Sequence, residues 1–254
     1  MSSPFYWGVA TSAFQIEGAW KEGGRGPSIW DVFCDLPGRI QNGDRADVAC
    51  DHFHRYEEDV ALMKELGVNA YRFSIAWPRI VPDGTGAANS AGIDFYNRLI
   101  DCLLRNGIEP FPTLYHWDLP IGCQFAADGW MARETAEAFA RYAKICFDAF
   151  GDRVRHWITF NESWCTSVLG YGLGVFPPAR KDPDAPYRAA HNLLLAHGLA
   201  VRAFREGGYA GEIGLANNCD WREPLTDSPA DRAAAERAVQ FFYGWFTDPV
   251  VFGE

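Results

Sequence analysis

The feature that most constrains this sequence is a rhythm. Short apolar runs at 6–11, 70–76, 109–115, 156–160 and 213–216 are bounded by Gly, Asn or Pro, as buried parallel strands are. Between them run stretches of helical period at 56–66, 93–105, 133–150, 185–206 and 229–246. The first four of these stop at or near a glycine: Gly67, Gly107, Gly151 and the Gly207–Gly208 pair. Helix, glycine, short strand, long loop, helix: the pattern reads as βα units of a parallel α/β fold. The loops that follow the strands (15–49, 77–89, 118–132 and 162–186) hold most of the surplus length. In barrel folds, loops on that end carry the site.

The chain has 254 residues, 48% of them apolar, which is ample for a buried core and reads as one domain over 1–254. A closed eight-unit barrel takes about 250 residues. Here that length is used on five units, and five strands cannot close, so the expected form is an incomplete barrel. The net charge of −10 argues against a nucleic-acid footprint or a polybasic membrane surface. No run approaches the roughly 18 apolar residues of a membrane span. The first lysine is Lys21, so the N-terminus lacks the cationic start of a signal peptide. The seven cysteines are odd in number, have no CxxC and stand at least 16 residues apart, so neither a disulfide framework nor a zinc site is expected. Buried free thiols such as Cys102 and Cys146, in a reducing, cytoplasmic setting, fit best.

The chemistry should sit just past the strand C-termini. Those positions hold Gln15 and Glu17, Arg72 within the second strand, His116, Trp117 and Asp118, Asn161 and Glu162, then Asn217 and Asn218. Amides and an imidazole make neutral, directional hydrogen bonds to hydroxyls, and flat indoles stack on a pyranose. One carboxyl among them can be a general acid whose pKa is raised by desolvation or a nearby anion. The mixture points to a sugar site.

The segments FYWGVATSAFQIEG, RFSIAWPRIVPDGTG, LYHWDLP, ITFNESW and NLLLAHGLAVRAFR resemble, in order and spacing, glycoside hydrolase family 1, the β-glucosidase family. The resemblance implies a (β/α)8 TIM barrel of which the first five units are present, and retaining hydrolysis of β-D-glucosides without a cofactor. It makes Glu162 the acid/base and Asn161 the partner of the sugar 2-hydroxyl. Gln15 and His116 bind outer hydroxyls and Trp117 lines the same subsite. Arg72 orients the nucleophile carboxylate, and Trp164 and Cys165 fall on the aglycone side. Retention needs two carboxyls roughly 5 to 5.5 Å apart. The family's nucleophile lies in a Thr-Glu-Asn-Gly-type motif on strand seven, and no such segment occurs here. The resemblance is therefore to the N-terminal five-eighths, which implies a complementing C-terminal segment or self-association, or else an inert piece with residual sugar affinity. 6-Phospho-β-glycosidase activity is the alternative within the family. Ser163 stands where the family usually has proline, and CQFAADGW is less regular than the family's Gly-Gly-Trp version.

Plainer roles suit the other candidates. Glu17 is expected to be structural, and Asp118 to hydrogen-bond its own loop. His52 and His54 lack the partners of a metal site. His191 and His197, six apart on a helix, are packing residues. GYGLG at 170–174 lacks a phosphate-loop register. Tyr171 and Phe176 lie on a loop where substrate could meet them.

Overall fold

The computed structural model of the protein describes residues 5–253. Five parallel strands pair in chain order: β1 (Gly8–Ala10), β2 (Ala70–Ser74), β3 (Glu109–Tyr115), β4 (His156–Asn161) and β5 (Glu212–Ala216). β1 and β5 are the sheet edges, and each carries more exposed residues than the central strands. After β1 come two short helices, α1 (Ala13–Ile16) and α2 (Ile29–Cys34), and then α3 (His52–Glu65). β2 is followed by α4 (Trp77–Ile80) and α5 (Ser90–Arg105), and β3 by α6 (Ile121–Ala127) and α7 (Arg133–Phe150). A π-helical segment (Cys165–Gly172) and α8 (Ala185–Glu206) follow β4, and α9 (Pro229–Val239) and α10 (Trp245–Val251) follow β5.

The long helices form where the apolar stripe has somewhere to go. α5 buries Phe95, Tyr96, Leu99, Ile100 and Leu103, and α7 buries Phe139, Tyr142, Ala143, Cys146, Phe147 and Phe150, each at spacings of three and four. Those stripes pack on Tyr71 and Phe73 of β2, Leu114 and Tyr115 of β3, and Trp157 and Phe160 of β4 in one continuous core. The Tyr142 hydroxyl donates to the Leu114 carbonyl at 2.8 Å, tying α7 to the end of β3. α3 and α5 stop at Gly67 and Gly107, whose φ of 75° and 72° put them in the left-handed conformation glycine adopts without strain.

A buried ion pair secures the loop after β1. The Arg79 side chain of α4 is fully buried and its Nε donates to Glu17 Oε2 at 3.0 Å, while the Tyr96 hydroxyl donates to Glu17 Oε1. Glu17 is thus structural, as expected. A second pair, Arg25 to Asp31 at 2.9 Å, sits at the start of α2, where Ser28 and Asp31 form a capping box.

Three expectations change. The single helix expected at 229–246 is divided, because Gln240–Gly244 widens into a π turn before α10. That turn re-phases the aromatic run, so Phe242 meets Trp164 with ring centroids 4.4 Å apart while Phe246 is buried. Tyr171 lies wholly in the core rather than on a substrate-facing loop; its hydroxyl accepts from the Trp130 backbone N–H at 2.8 Å. Asp118 is fully buried, yet neither carboxylate oxygen has a well-formed hydrogen bond among the described residues; its own backbone N–H is the loop group that favours its charge. Burial pushes its pKa up to about 7; Glu17 and Asp31 act in the same direction, and Arg25 and its own backbone N–H against it.

Candidate active site

The expected site residues converge at the C-terminal ends of β1 to β4. Arg72, in β2, is half-buried. Its Nη2 donates to Asn161 Oδ1 at the end of β4, and its Nε donates to Thr113 Oγ1 of β3 at 3.1 Å. A guanidinium has donors only, so the Asn161 oxygen is the atom that accepts. The Asn161 amide Nδ2 is then the donor to His116 Nε2, 3.1 Å away, and the imidazole proton is left on Nδ1. His116 Nδ1 is buried and has no partner among the described residues. Desolvation, with the Arg72 charge adding to it, pushes the His116 pKa down to about 4, so the ring is neutral near pH 7. One guanidinium thus fixes the orientation of an amide and the tautomer of an imidazole.

The backbone is strained at two of these positions. Trp117 has φ 79° and Glu162 φ 47°, a region that non-glycine residues seldom occupy, at roughly 1–3 kcal/mol each. Both are held in place. Trp117 Nε1 donates to the Asn161 carbonyl at 3.0 Å, and the Glu162 N–H donates to the Ala216 carbonyl of β5 at 2.7 Å. The β4–β5 register shifts between Ile158 and Asn161, an irregularity of the kind that re-aims side chains beside a site. Strain held by hydrogen bonds at the two strand ends that carry the indole and the carboxyl makes these positions candidates for function.

A cavity of about 280 Å³ adjoins this network, lined by Ser12, Phe14, Gln15, Trp30, His116, Trp117 and Phe176. It is mostly apolar with a few polar groups, as small-molecule pockets are. The Gln15 Oε1 accepts from the Ser12 hydroxyl at 2.7 Å, which leaves the Gln15 amide N–H groups as donors. The rings of Trp117 and Trp30 both pack against Phe176, at 5.2 and 5.3 Å, building an aromatic wall. Phe176 therefore lies where substrate could meet it.

Glu162 is half-buried. Its charge opposes the desolvation that lowers the Arg72 pKa, so the two groups sense each other electrostatically. Cys165 Sγ stands 3.4 Å from Glu162 Oε2. Trp164 is turned away from the cavity toward the π turn, against Phe242. Asn217 reaches Thr247 Oγ1 at 3.4 Å and Asn218 reaches Cys165 Sγ at 3.7 Å. Reading from the sequence missed Thr113, Phe14 and Trp30. Thr113 carries a usable signal, since it is the polar residue in the apolar run that follows Glu109 in β3; Phe14 and Trp30 carry none beyond loop position. Among the described residues no group of three or more His, Cys, Asp or Glu side chains could hold a metal, and no helix is long and apolar enough to cross a membrane. All seven cysteines are free.

A parallel βα sheet with amides, an imidazole, indoles and one strained carboxyl at its strand ends defines a TIM-barrel glycosidase scaffold, of which the five-stranded sheet is a part. The family described as glycosyl hydrolase family 1 matches residues 1–254, and the chain belongs to it. It is 51% identical over 258 residues to Beta-glucosidase 42 of Arabidopsis thaliana, covering 99% of this chain and 53% of that protein. It is 49% identical over 251 residues to Beta-glucosidase A of Thermotoga maritima, covering 98% of this chain and 56% of that protein. The solved family 1 β-glucosidase from Thermotoga maritima superposes with a TM-score of 0.95 at 48% identity, over 100% of this chain and 57% of the other. A rice β-glucosidase superposes with a TM-score of 0.96 at 46% identity, over 98% of this chain and 55% of the other. The chain thus spans about half the length of the curated relatives it matches.

Proposed function

We propose that this chain supplies the acid/base and much of the sugar-binding half of a retaining β-glucosidase site acting on terminal β-D-glucosyl residues. The observation that carries the reading is the coupled array at the strand ends: Arg72 bonded to Asn161, Asn161 bonded to His116, and Glu162 next in the chain in a strained, pinned conformation. Protonated Glu162 gives its proton to the glycosidic oxygen as the bond from C1 to the aglycone breaks. A second carboxylate, the strand-seven glutamate of the family, takes C1 and forms the glycosyl-enzyme. Glu162, now anionic, removes a proton from water as that water attacks C1, which releases the sugar with its configuration retained. Asn161, fixed by Arg72, offers its amide to the 2-hydroxyl, where hydrogen bonds strengthen at the transition state. His116, neutral and with an N–H on Nδ1, and Gln15 serve the outer hydroxyls, and the Trp117 and Phe176 rings supply the apolar wall of the cavity. Arg72 also orients the second carboxylate.

Hydrolysis of an aryl β-glucoside tests this, with the 254-residue chain alone and with a polypeptide corresponding to the second half of a relative's barrel. Turnover that needs both pieces and is abolished by Glu162→Gln is expected. Equal turnover by the chain alone with Glu162 or Gln at that position would overturn the proposal.

A further inference from the structure

Among the described residues, the Cys165 thiol is the one hydrogen-bond donor that reaches the Glu162 carboxylate, with Sγ 3.4 Å from Oε2. The sulfur is itself held: the Asn218 amide, two residues beyond β5, donates to it at 3.7 Å. The three groups form a line from the end of β5 to the end of β4, Asn218 to Cys165 to Glu162. The backbone bond from the Glu162 N–H to the Ala216 carbonyl, at 2.7 Å, joins the same two strand ends. Cys165 begins the π-helical segment, and its position three residues after Glu162 places the thiol back over that carboxyl.

We propose that Cys165 is a positioning residue for Glu162, its thiol held by Asn218 and donating to Oε2 so that the carboxyl keeps one orientation through both halves of the reaction. The proposal rests on the acid/base reading of Glu162 and assigns Cys165 a role inside the site rather than on its aglycone side. The chemistry of sulfur gives the role its point. An acid/base must hold a proton in one step and lose it in the next. A strong donor on its carboxylate would favour the anion throughout, whereas a thiol is a weak donor that orients without binding the charge tightly. The other charged group that senses Glu162 is Arg72. The contact is reciprocal: burial, and after it the Glu162 charge, push the Cys165 pKa up to about 12.

Two measurements on the 254-residue chain test the contact without any need for turnover. The first is site-resolved alkylation by iodoacetamide at pH 9, with the exposed Cys50 and Cys219 as internal references. Only the thiolate reacts, so removing the neighbouring charge by Glu162→Gln should raise Cys165 labelling about threefold or more against the references. An unchanged ratio would overturn the contact. The second is the carboxyl titration of Glu162 followed by carbon-13 NMR. Relative to the parent chain, Cys165→Ser, a stronger donor in the same place, should lower the midpoint, and Cys165→Ala should raise it. Identical midpoints in the three chains would overturn the positioning role. Neither outcome bears on whether Glu162 is the acid/base: that fails only if Glu162→Gln leaves turnover of the two-piece enzyme intact.

Discussion

Arg79→Met probes how the segment just after α1, the helix that carries Gln15, is fixed. The Arg79 side chain is 0% exposed and its partner Glu17 5% exposed, with Nη2 and Oε2 3.0 Å apart. The guanidinium also lies over the Phe53 ring, 4.4 Å from its centroid, and reaches the Gly18 carbonyl at 3.4 Å. Methionine fills most of the same volume, so the packing loss is small. What remains is a buried Glu17 carboxylate with the Tyr96 hydroxyl as its partner and no cation. Breaking a buried pair from one side costs about 3–5 kcal/mol, because the surviving charge keeps its desolvation penalty. Replacing both partners removes that penalty, so Glu17→Leu with Arg79→Met should recover at least about 1–2 kcal/mol of the loss. Urea unfolding followed by the fluorescence of the buried Trp77 and Trp130 measures both, with the slope m checked for constancy. A single variant costing under about 1 kcal/mol, or a double variant no better than the single, would refute the reasoning.

Two further predictions concern pH. The buried His197 ring, whose Nδ1 is 2.8 Å from Thr159 Oγ1, is held neutral, because desolvation pushes its pKa down to about 4. The unfolded chain therefore binds the extra proton between about pH 6.5 and 4, so this stabilisation is complete above that window and declines by up to about 1.4 kcal/mol per unit as pH falls through it. Urea titrations at pH 7 and pH 4.5 should show a shallower decline in His197→Gln; equal declines would contradict the assignment. Asp118 has the opposite sign: with a folded pKa of about 7 the native state holds a proton that the unfolded chain has lost, so its contribution falls as pH rises from about 4 to 7. The stability of Asp118→Asn relative to the parent should therefore climb between pH 5 and pH 8, and a flat difference would show that the carboxyl is ionised in the fold.

The sequence makes the frame legible because long amphipathic helices and short buried strands each write a period. α7 and α8 keep the bounds expected for them, and β3 does too. Four-residue elements such as α1 and α4 span little more than one turn, too short to show a period, so their sequence is indistinguishable from loop. The break at Gln240–Gly244 was hidden because an aromatic run keeps its apolar character whether or not the turn widens. Gln15, His116, Trp117, Asn161 and Glu162 were legible because each follows or ends a strand, where this fold places its chemistry, and Arg72 because its charge stands inside an otherwise apolar stretch of β2. Their linkage was not. That Arg72 orients Asn161, and Asn161 in turn His116, depends on residues 89 and 45 positions apart, and no local pattern records that distance. The same holds for Glu17 and Arg79, 62 positions apart, and for the burial of Asp118 without a side-chain partner.

The most direct test of the role given to Glu162 is a leaving-group series of aryl β-glucosides with azide added, run on Glu162→Gln in the two-piece enzyme. An acid is needed most when the leaving group is poor, and a base is not needed when the nucleophile is already an anion. The prediction is a loss that grows as the leaving group worsens, with azide restoring turnover of good leaving groups and yielding the β-glucosyl azide. A loss independent of leaving group, with no azide adduct, would contradict the assignment of the acid/base to Glu162.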